Sequence, residues 1–425
     1  MKNQQFQIRN SRLKRYGAWC ELVIVSWALS LHAEKIDLQV YASKFDSIPI
    51  AVLDFRALNA AVLTQDDPGQ IIADDLEFCG RFHVVRMPKP DPARFAANNI
   101  GIFIDGEYAV TGEKVVLDCF VHDAVTGEEV AGKKYSGEKK FVRGMAHRYA
   151  NFLLDMLFGE RGPFESRIVF VEDRGSQKNL VVMDYDGYNQ KKITSSGVNI
   201  FPAFIDSTTI VWTSFFRGKP DLYKGSIVTG TYDIFIFSRF VQASPAVSPL
   251  GDRIAYSSSV GGNLDIYICD LDGGNKRQIT FHRAIDTSPC WSPTGYQIAF
   301  TSDRSGQPQI YVMDADGANV KRVTSVGKYQ DSPAWSPRGD KIAYASMQNG
   351  KFDIWTVNPD GTGAAMVTSM PGNNEYPAWS PDGSHIAFSC SQRGVSDIYA
   401  VRPDGSGLRR ITKSGNAKMP NWSPF

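Results

Sequence analysis

The chain has 425 residues, with 46 Lys and Arg against 45 Asp and Glu, so its formal net charge is +1. Hydrophobic residues make up 43% and charged residues 21%, an ordinary globular balance with room for roughly two or three domains. Without a block of like charge beyond the N-terminus, wholesale nucleic-acid binding is excluded as the main activity.

Residues 1–33 read as a secretory signal peptide. Lys2, Arg9, Arg12, Lys14 and Arg15 form a basic start, Leu22–Leu31 is an apolar run, and Ala33 can occupy the cleavage position. The run is too short to span a bilayer, which needs about 20 residues. An exported chain without a direct membrane span is expected. It would keep Cys79, Cys119, Cys269, Cys290 and Cys390, none of them in a Cys-x-x-Cys pair. Zinc-ribbon and thioredoxin-type chemistry are therefore not written here. Cys269, Cys290 and Cys390 sit in strand patterns and are expected as small apolar core residues.

Residues 34–162 read as a mixed α/β domain. Ile36, Leu38 and Val40 alternate with polar residues, and Ile48–Phe55 is a near-continuous apolar strand. A helix is expected over 68–78, stopped by Gly80. Strands follow near 82–85 and 100–104. Residues 115–122 and 133–136 flank Val125-Thr-Gly-Glu128 as a hairpin, and a second helix spans 142–158 up to Gly159. Gly159-Glu-Arg-Gly-Pro163 is the expected hinge.

From residue 163 the grammar changes to a repeat. Pro245-Ala-Val-Ser-Pro249, Pro289-Cys-Trp-Ser-Pro293, Pro333-Ala-Trp-Ser-Pro337, Pro377-Ala-Trp-Ser-Pro381 and Pro420-Asn-Trp-Ser-Pro424 are near copies, and Phe201-Pro-Ala-Phe204 is a degenerate one. Their leading prolines stand 43 or 44 residues apart. That period, built from short apolar strands, reads as a propeller blade. Each full unit adds a Ser-Pro-x-Gly turn and a strand such as Gln297-Ile-Ala-Phe300. An alternating strand such as Gln309-Ile-Tyr-Val312, an Asp-Gly turn and a short strand ending in Thr follow. Strands of the Ile-Ala-Phe type begin at Arg167, before any partner motif, while Pro420–Pro424 has no successor strand. Closure is solved by an all-β six-bladed β-propeller over 163–425, in which the C-terminal strand completes the blade begun at Arg167. Trp291, Trp335, Trp379 and Trp422 are expected between neighbouring blades. The second blade is irregular: Asp221-Leu-Tyr-Lys-Gly225 and Tyr232-Asp-Ile-Phe235 lack the Asp-Gly turn.

Catalytic signatures fail. Gly-x-Ser-x-Gly, His-Glu-x-x-His, Walker A and Gly-x-Gly-x-x-Gly are missing from the sequence. The Asp-x-Asp-Gly strings at 184, 270 and 314 imitate a calcium loop, but their twelfth positions are Ser195, Phe281 and Ser325, where a Glu is needed. Loops entering each blade are expected to form a funnel at the ring axis, carrying His282, Arg283, Asp286, Lys328, Tyr329, Asp331, Asn373, Asn374, Glu375, Tyr376 and Lys418. Such a mixture of charge, amide and ring suits protein recognition.

Arg167-Ile-Val-Phe-Val171, Met183-Asp-Tyr-Asp-Gly-Tyr-Asn189 and Pro420-Asn-Trp-Ser-Pro-Phe425, with the repeat and the preceding α/β domain, resemble the TolB family of the Tol–Pal system. The resemblance implies a periplasmic, non-enzymatic scaffold without cofactors, supporting outer-membrane integrity and cell division. Its implied partners are the peptidoglycan-associated lipoprotein Pal in the propeller funnel, TolA at the N-terminal strand, and other outer-membrane proteins. Carried onto this sequence, the funnel positions are Ser244, Thr287, Ser288, Asp331, Ser332, Glu375, Tyr376, Lys418 and Met419. The TolA strand is 34–43 with Ile36, Leu38 and Val40, whose alternation suits strand addition to a sheet edge. Two other readings stay open: a propeller enzyme, such as a metal-dependent polysaccharide lyase, and a binding module for a sugar or peptide.

Overall fold

A computed structural model describes residues 47–59, 63, 66–325 and 327–425. The expected signal peptide and the strand at 34–43 lie outside the described residues. The chain divides into two compact units after Arg161.

The first unit is a sheet with helices. Strands β1 (Ile48–Leu53) and β2 (Arg56–Ala57) precede α1 (Pro68–Cys79), β3 (Phe82–Met87) and α2 (Pro92–Ala97). Then come β4 (Ile102–Thr111), β5 (Lys114–Asp123), β6 (Glu129–Glu138) and α3 (Val142–Phe158). The sheet order is β3-β1-β4-β5-β6, with β2 beside β4. β1 is parallel to both neighbours and central, which is why its run is apolar at nearly every residue: both faces are covered. Ala51 and Leu53 pack with Phe95 of α2, while α1 and α3 lie side by side against the sheet. Asp67 caps α1 by accepting from the Gly69 N–H at 3.0 Å, and Gly80 ends it in the left-handed region. β4, β5 and β6 run longer than the sequence suggested, because a tight turn at Gly112 extends the β4–β5 hairpin.

The second unit is a ring of six four-stranded antiparallel sheets. Blade 1 takes its inner strand, Ala417–Trp422, from the C-terminus and the next three from Arg167–Asp173, Lys178–Asp184 and Lys191–Lys192. The closure expected from strand counting is therefore the closure observed. The inner strands of blades 2 to 6 are Asn199–Phe204, Gln242–Val247, Asp286–Trp291, Tyr329–Trp335 and Asn373–Trp379.

Each part of the repeat has a physical task. In the Ser-Pro-x-Gly turn the Gly N–H donates to the Ser carbonyl, at 2.9 Å for Gly339 to Ser336 and Gly383 to Ser380. Trp291, Trp335 and Trp379 fill the space between successive blades, as expected. The closing Thr is a clasp. Thr412 Oγ1 accepts from the Ile398 N–H at 2.9 Å and donates to Asp397 Oδ1 at 2.8 Å, pinning the outer strand to the start of the third. Thr280, Thr324 and Thr368 repeat it. Blade 2 lacks this Thr, and its buried Asp221 pairs with Lys219 instead. Gly187, at φ 94°, does more than turn a hairpin. A Cβ there would stand 2.5 Å from the Ile411 carbonyl oxygen of blade 6, so only glycine allows this approach.

Candidate functional site: a ring of bulges around the channel

The residue before each motif proline is forced out of the helical region by the proline ring that follows. In all six inner strands it adopts the left-handed conformation: Phe201 (φ 51°), Ser244 (52°), Ser288 (51°), Ser332 (54°), Tyr376 (57°) and Met419 (51°). None is glycine, and each costs about 1 kcal/mol or more relative to the right-handed region. Each inner strand shifts register at this point, as between Thr287 and Cys290 or between Glu375 and Ala378. These are β-bulges, which re-aim side chains and leave backbone unpaired. The expectation that these positions belong to loops is corrected: residues 329–332 and 373–376 stand inside the inner strands.

The six bulged residues and the motif that follows line a cavity of about 480 Å³. Its wall is uneven. Tyr376, Met419 and Phe201 stand on three consecutive blades, 6, 1 and 2, and the Phe201 and Tyr376 rings approach to 6.2 Å between centroids. Ser244, Ser288 and Ser332 stand on blades 3, 4 and 5. One half of the ring is thus bulky and apolar, the other small and hydroxylic. Phe201 was not among the residues singled out from sequence. Its signal was its place before the proline of the degenerate motif.

One residue earlier stand Thr287, Asp331, Glu375 and Lys418, all half-buried and all outside the lining of this cavity. Blade-to-blade hydrogen bonds hold the first two: Ser257 Oγ donates to Thr287 Oγ1 at 3.2 Å and Thr301 Oγ1 to Asp331 Oδ1 at 2.9 Å. The Ser244 N–H likewise donates to Thr213 Oγ1 of blade 2 at 3.0 Å. Burial pushes the Asp331 carboxyl above its ordinary range despite its hydrogen bonds. Burial also raises Glu375, with Lys418 opposing and Asp331 adding to the shift. The phenols of Tyr329 and Tyr376 are raised by burial and by these two carboxylates. Lys418 itself donates to Asp173 Oδ2 at 3.1 Å.

His282 stands apart. It is exposed, its ring accepts from the Ala284 N–H at 3.0 Å, and it does not line the cavity. Cys290 also departs from expectation. It is only partly buried and lines the cavity, and its Sγ accepts from the Trp335 N–H of blade 5 at 3.1 Å. Burial pushes its thiol up to about 11. Asn421, at the same motif position, serves the Phe204 N–H of blade 2 in the same way, at 3.0 Å. Among the described residues no group of three or more His, Cys, Asp or Glu is placed to hold a metal ion. No helix among them is long and apolar enough to cross a membrane.

This architecture defines a class: a six-bladed propeller preceded by an α/β unit, with a ring of bulged inner strands around its axis. A family model described as the TolB beta propeller domain matches residues 154–425, so the chain belongs to the TolB β-propeller family. Two relatives named Tol-Pal system protein TolB are similar. That of Geobacter sulfurreducens is 36% identical over 197 residues, covering 43% of this chain and 46% of the relative. That of Geobacter metallireducens is 40% identical over 191 residues, covering 42% and 44%. The chain thus spans a little under half the length of these relatives. The crystal structure of TolB from Acinetobacter baumannii matches with a TM-score of 0.77, over 89% of this chain and 97% of that one. At 24% identity this likeness is one of fold.

Proposed function

We propose that the protein is a non-enzymatic scaffold of the Tol–Pal complex in the periplasm. It receives the peptidoglycan-associated lipoprotein over the inner-strand ring and TolA through the strand at 34–43. In this role it supports outer-membrane integrity and cell division. Its matched relatives are named Tol–Pal system proteins, and its own residues suit the role. The observation that carries the reading is the uneven ring: six strained, non-glycine residues hold serines on one side and aromatic and apolar groups on the other. Backbone strain of this kind collects at recognition sites, where rigid scaffolds hold it. A protein segment with apolar and hydrogen-bonding groups fits such a wall, and its docking requires no reacting group.

Capture of a Pal-type lipoprotein by the purified chain tests this. Thr287→Trp and Glu375→Trp, each one residue before a bulge, are each expected to weaken the complex about tenfold or more, because a bulky ring beside the bulged wall disrupts close packing of a partner. Unchanged affinity in both variants, with the thermal transition intact, would reject the ring as the binding surface. A chain lacking 34–43 is expected to lose TolA and keep the lipoprotein; retained TolA binding would reject the strand assignment.

A further inference from the structure

Blades 2 and 3 carry a feature that the ring does not use. Four loops lie next to one another at the entry side of these blades: 215–219, 237–241, 259–264 and 281–285. They are linked in sequence order around the rim. The Ser259 N–H donates to the Val241 carbonyl at 3.2 Å, and Asn263 Nδ2 donates to the His282 carbonyl at 3.0 Å. Phe216 (65% exposed), Phe237 (60%), Phe281 (79%), Ile285 (48%) and Val260 (47%) project from them. Each aromatic tip is followed closely by a cation, as in Phe216-Arg217, Phe237-Ser-Arg239 and Phe281-His-Arg283, and the four loops contain no Asp or Glu. The cations sit on the rings: the Arg217 guanidinium is 4.8 Å and the Lys219 ammonium 5.0 Å from the Phe237 centroid, and Arg239 is 4.8 Å from that of Phe240. The corresponding loop of blade 4, 303–308, shows no exposed large apolar side chain.

We infer that this rim docks on an anionic lipid bilayer surface, with Phe216, Phe237 and Phe281 entering the headgroup boundary and Arg217, Arg239 and Arg283 meeting lipid phosphates. Apolar loop tips with adjacent cations are what an interfacial anchor needs, because one part partitions and the other pairs with the headgroup. A lipid surface fits better than a protein partner. The tips gain from burial without the fixed polar geometry of a protein interface, which carries about one hydrogen bond per 100–200 Å², and the rim's charge, all of one sign, complements an anionic leaflet.

Sedimentation of the full chain with vesicles tests the inference. Binding is expected to vesicles of phosphatidylcholine containing phosphatidylglycerol and to be absent from pure phosphatidylcholine. It should fall as salt rises. Phe216→Ser combined with Phe281→Ser, and separately Arg217→Glu with Arg239→Glu, are each expected to weaken binding about tenfold or more. All four side chains are exposed, and the thermal transition should be unmoved. No pelleting above the lipid-free control overturns the inference, as does binding that survives both double variants. Loss of capture of a Pal-type lipoprotein in the same variants, without vesicle binding by the parent chain, would assign the rim to a protein instead.

Discussion

Phe201 and Tyr376 are 175 positions apart in the chain and belong to blades 2 and 6, yet their rings meet at 6.2 Å with planes tilted by 59°. Both are bulged residues in the left-handed region, and only blade 1 stands between them in the ring. The contact therefore spans the blade that the two ends of the propeller build together.

A double-mutant cycle measures that contact. Phe201→Ala, Tyr376→Ala and the double variant are expected to show a coupling of about 0.5–1.5 kcal/mol in urea unfolding, the range for an aromatic pair. Strict additivity would show that the rings merely lie close.

Closure rests on the last strand. Trp422 is buried, and its Nε1 donates to Ser166 Oγ at 2.6 Å, while the Arg167 N–H donates to Ser423 Oγ at 2.9 Å. Trp422→Ala is expected to cost about 3–5 kcal/mol. Removal of 417–425 exposes the edge of the strand Arg167–Asp173 and should abolish the cooperative calorimetric transition of the propeller. A truncated chain with an unchanged transition would contradict closure by this strand.

The same seam is pH-sensitive. Burial alone would raise Asp173, but hydrogen bonds from Lys178, the Gly175 N–H and Lys418 hold its carboxyl at about 2. A carboxyl with a depressed folded-state pKa stabilises above its unfolded value, near 4, and loses that contribution as pH falls through the folded value. Asp173→Asn is therefore expected to lower stability at pH 7 by about 1 kcal/mol, after allowance for solvent screening. The gap between parent and variant should narrow between pH 4 and pH 2. An equal gap at pH 7 and pH 2.5 would refute the linkage.

Blade 2 should be the loosest sheet. Without a Thr clasp, its outer strand, Tyr232–Ile236, has lost the link that Thr412 or Thr280 makes elsewhere. Amides of 232–236 are expected to exchange hydrogen fastest among the outer strands. Thr412→Val, which leaves the Ile398 N–H and Asp397 short of a partner, should cost about 1–3 kcal/mol and speed exchange in blade 6. Equal protection across the six blades would show that the clasp contributes little.

Much of this was legible locally. Pro-x-Trp-Ser-Pro, the Gly turn and the Asp-Gly hairpin each rest on dihedral preferences of a few adjacent residues, so blade count and closure followed from counting. The Thr was visible as a recurring strand end, but its double hydrogen bond was not, because its partners stand about 14 residues away. Phe201 is hard to see in the sequence because its motif lacks the Trp: the proline after it excludes only the right-handed helical region, and its left-handed turn belongs to the bulge that the paired strand defines. His282 reads in the sequence as a polar residue of a blade-entry loop, yet that loop holds it at the exposed rim.

Sequence alone determined the repeat, the closing strand and the family, since period, turn chemistry and motif order are written along the chain. The tertiary structure decided which side chains share the channel. Bulged residues 43 to 44 positions apart meet only when the ring closes, and the split between three serines and Tyr376, Met419 and Phe201 emerges only then. No local preference encodes that division, because it depends on the order of the blades around an axis that the unfolded chain does not have.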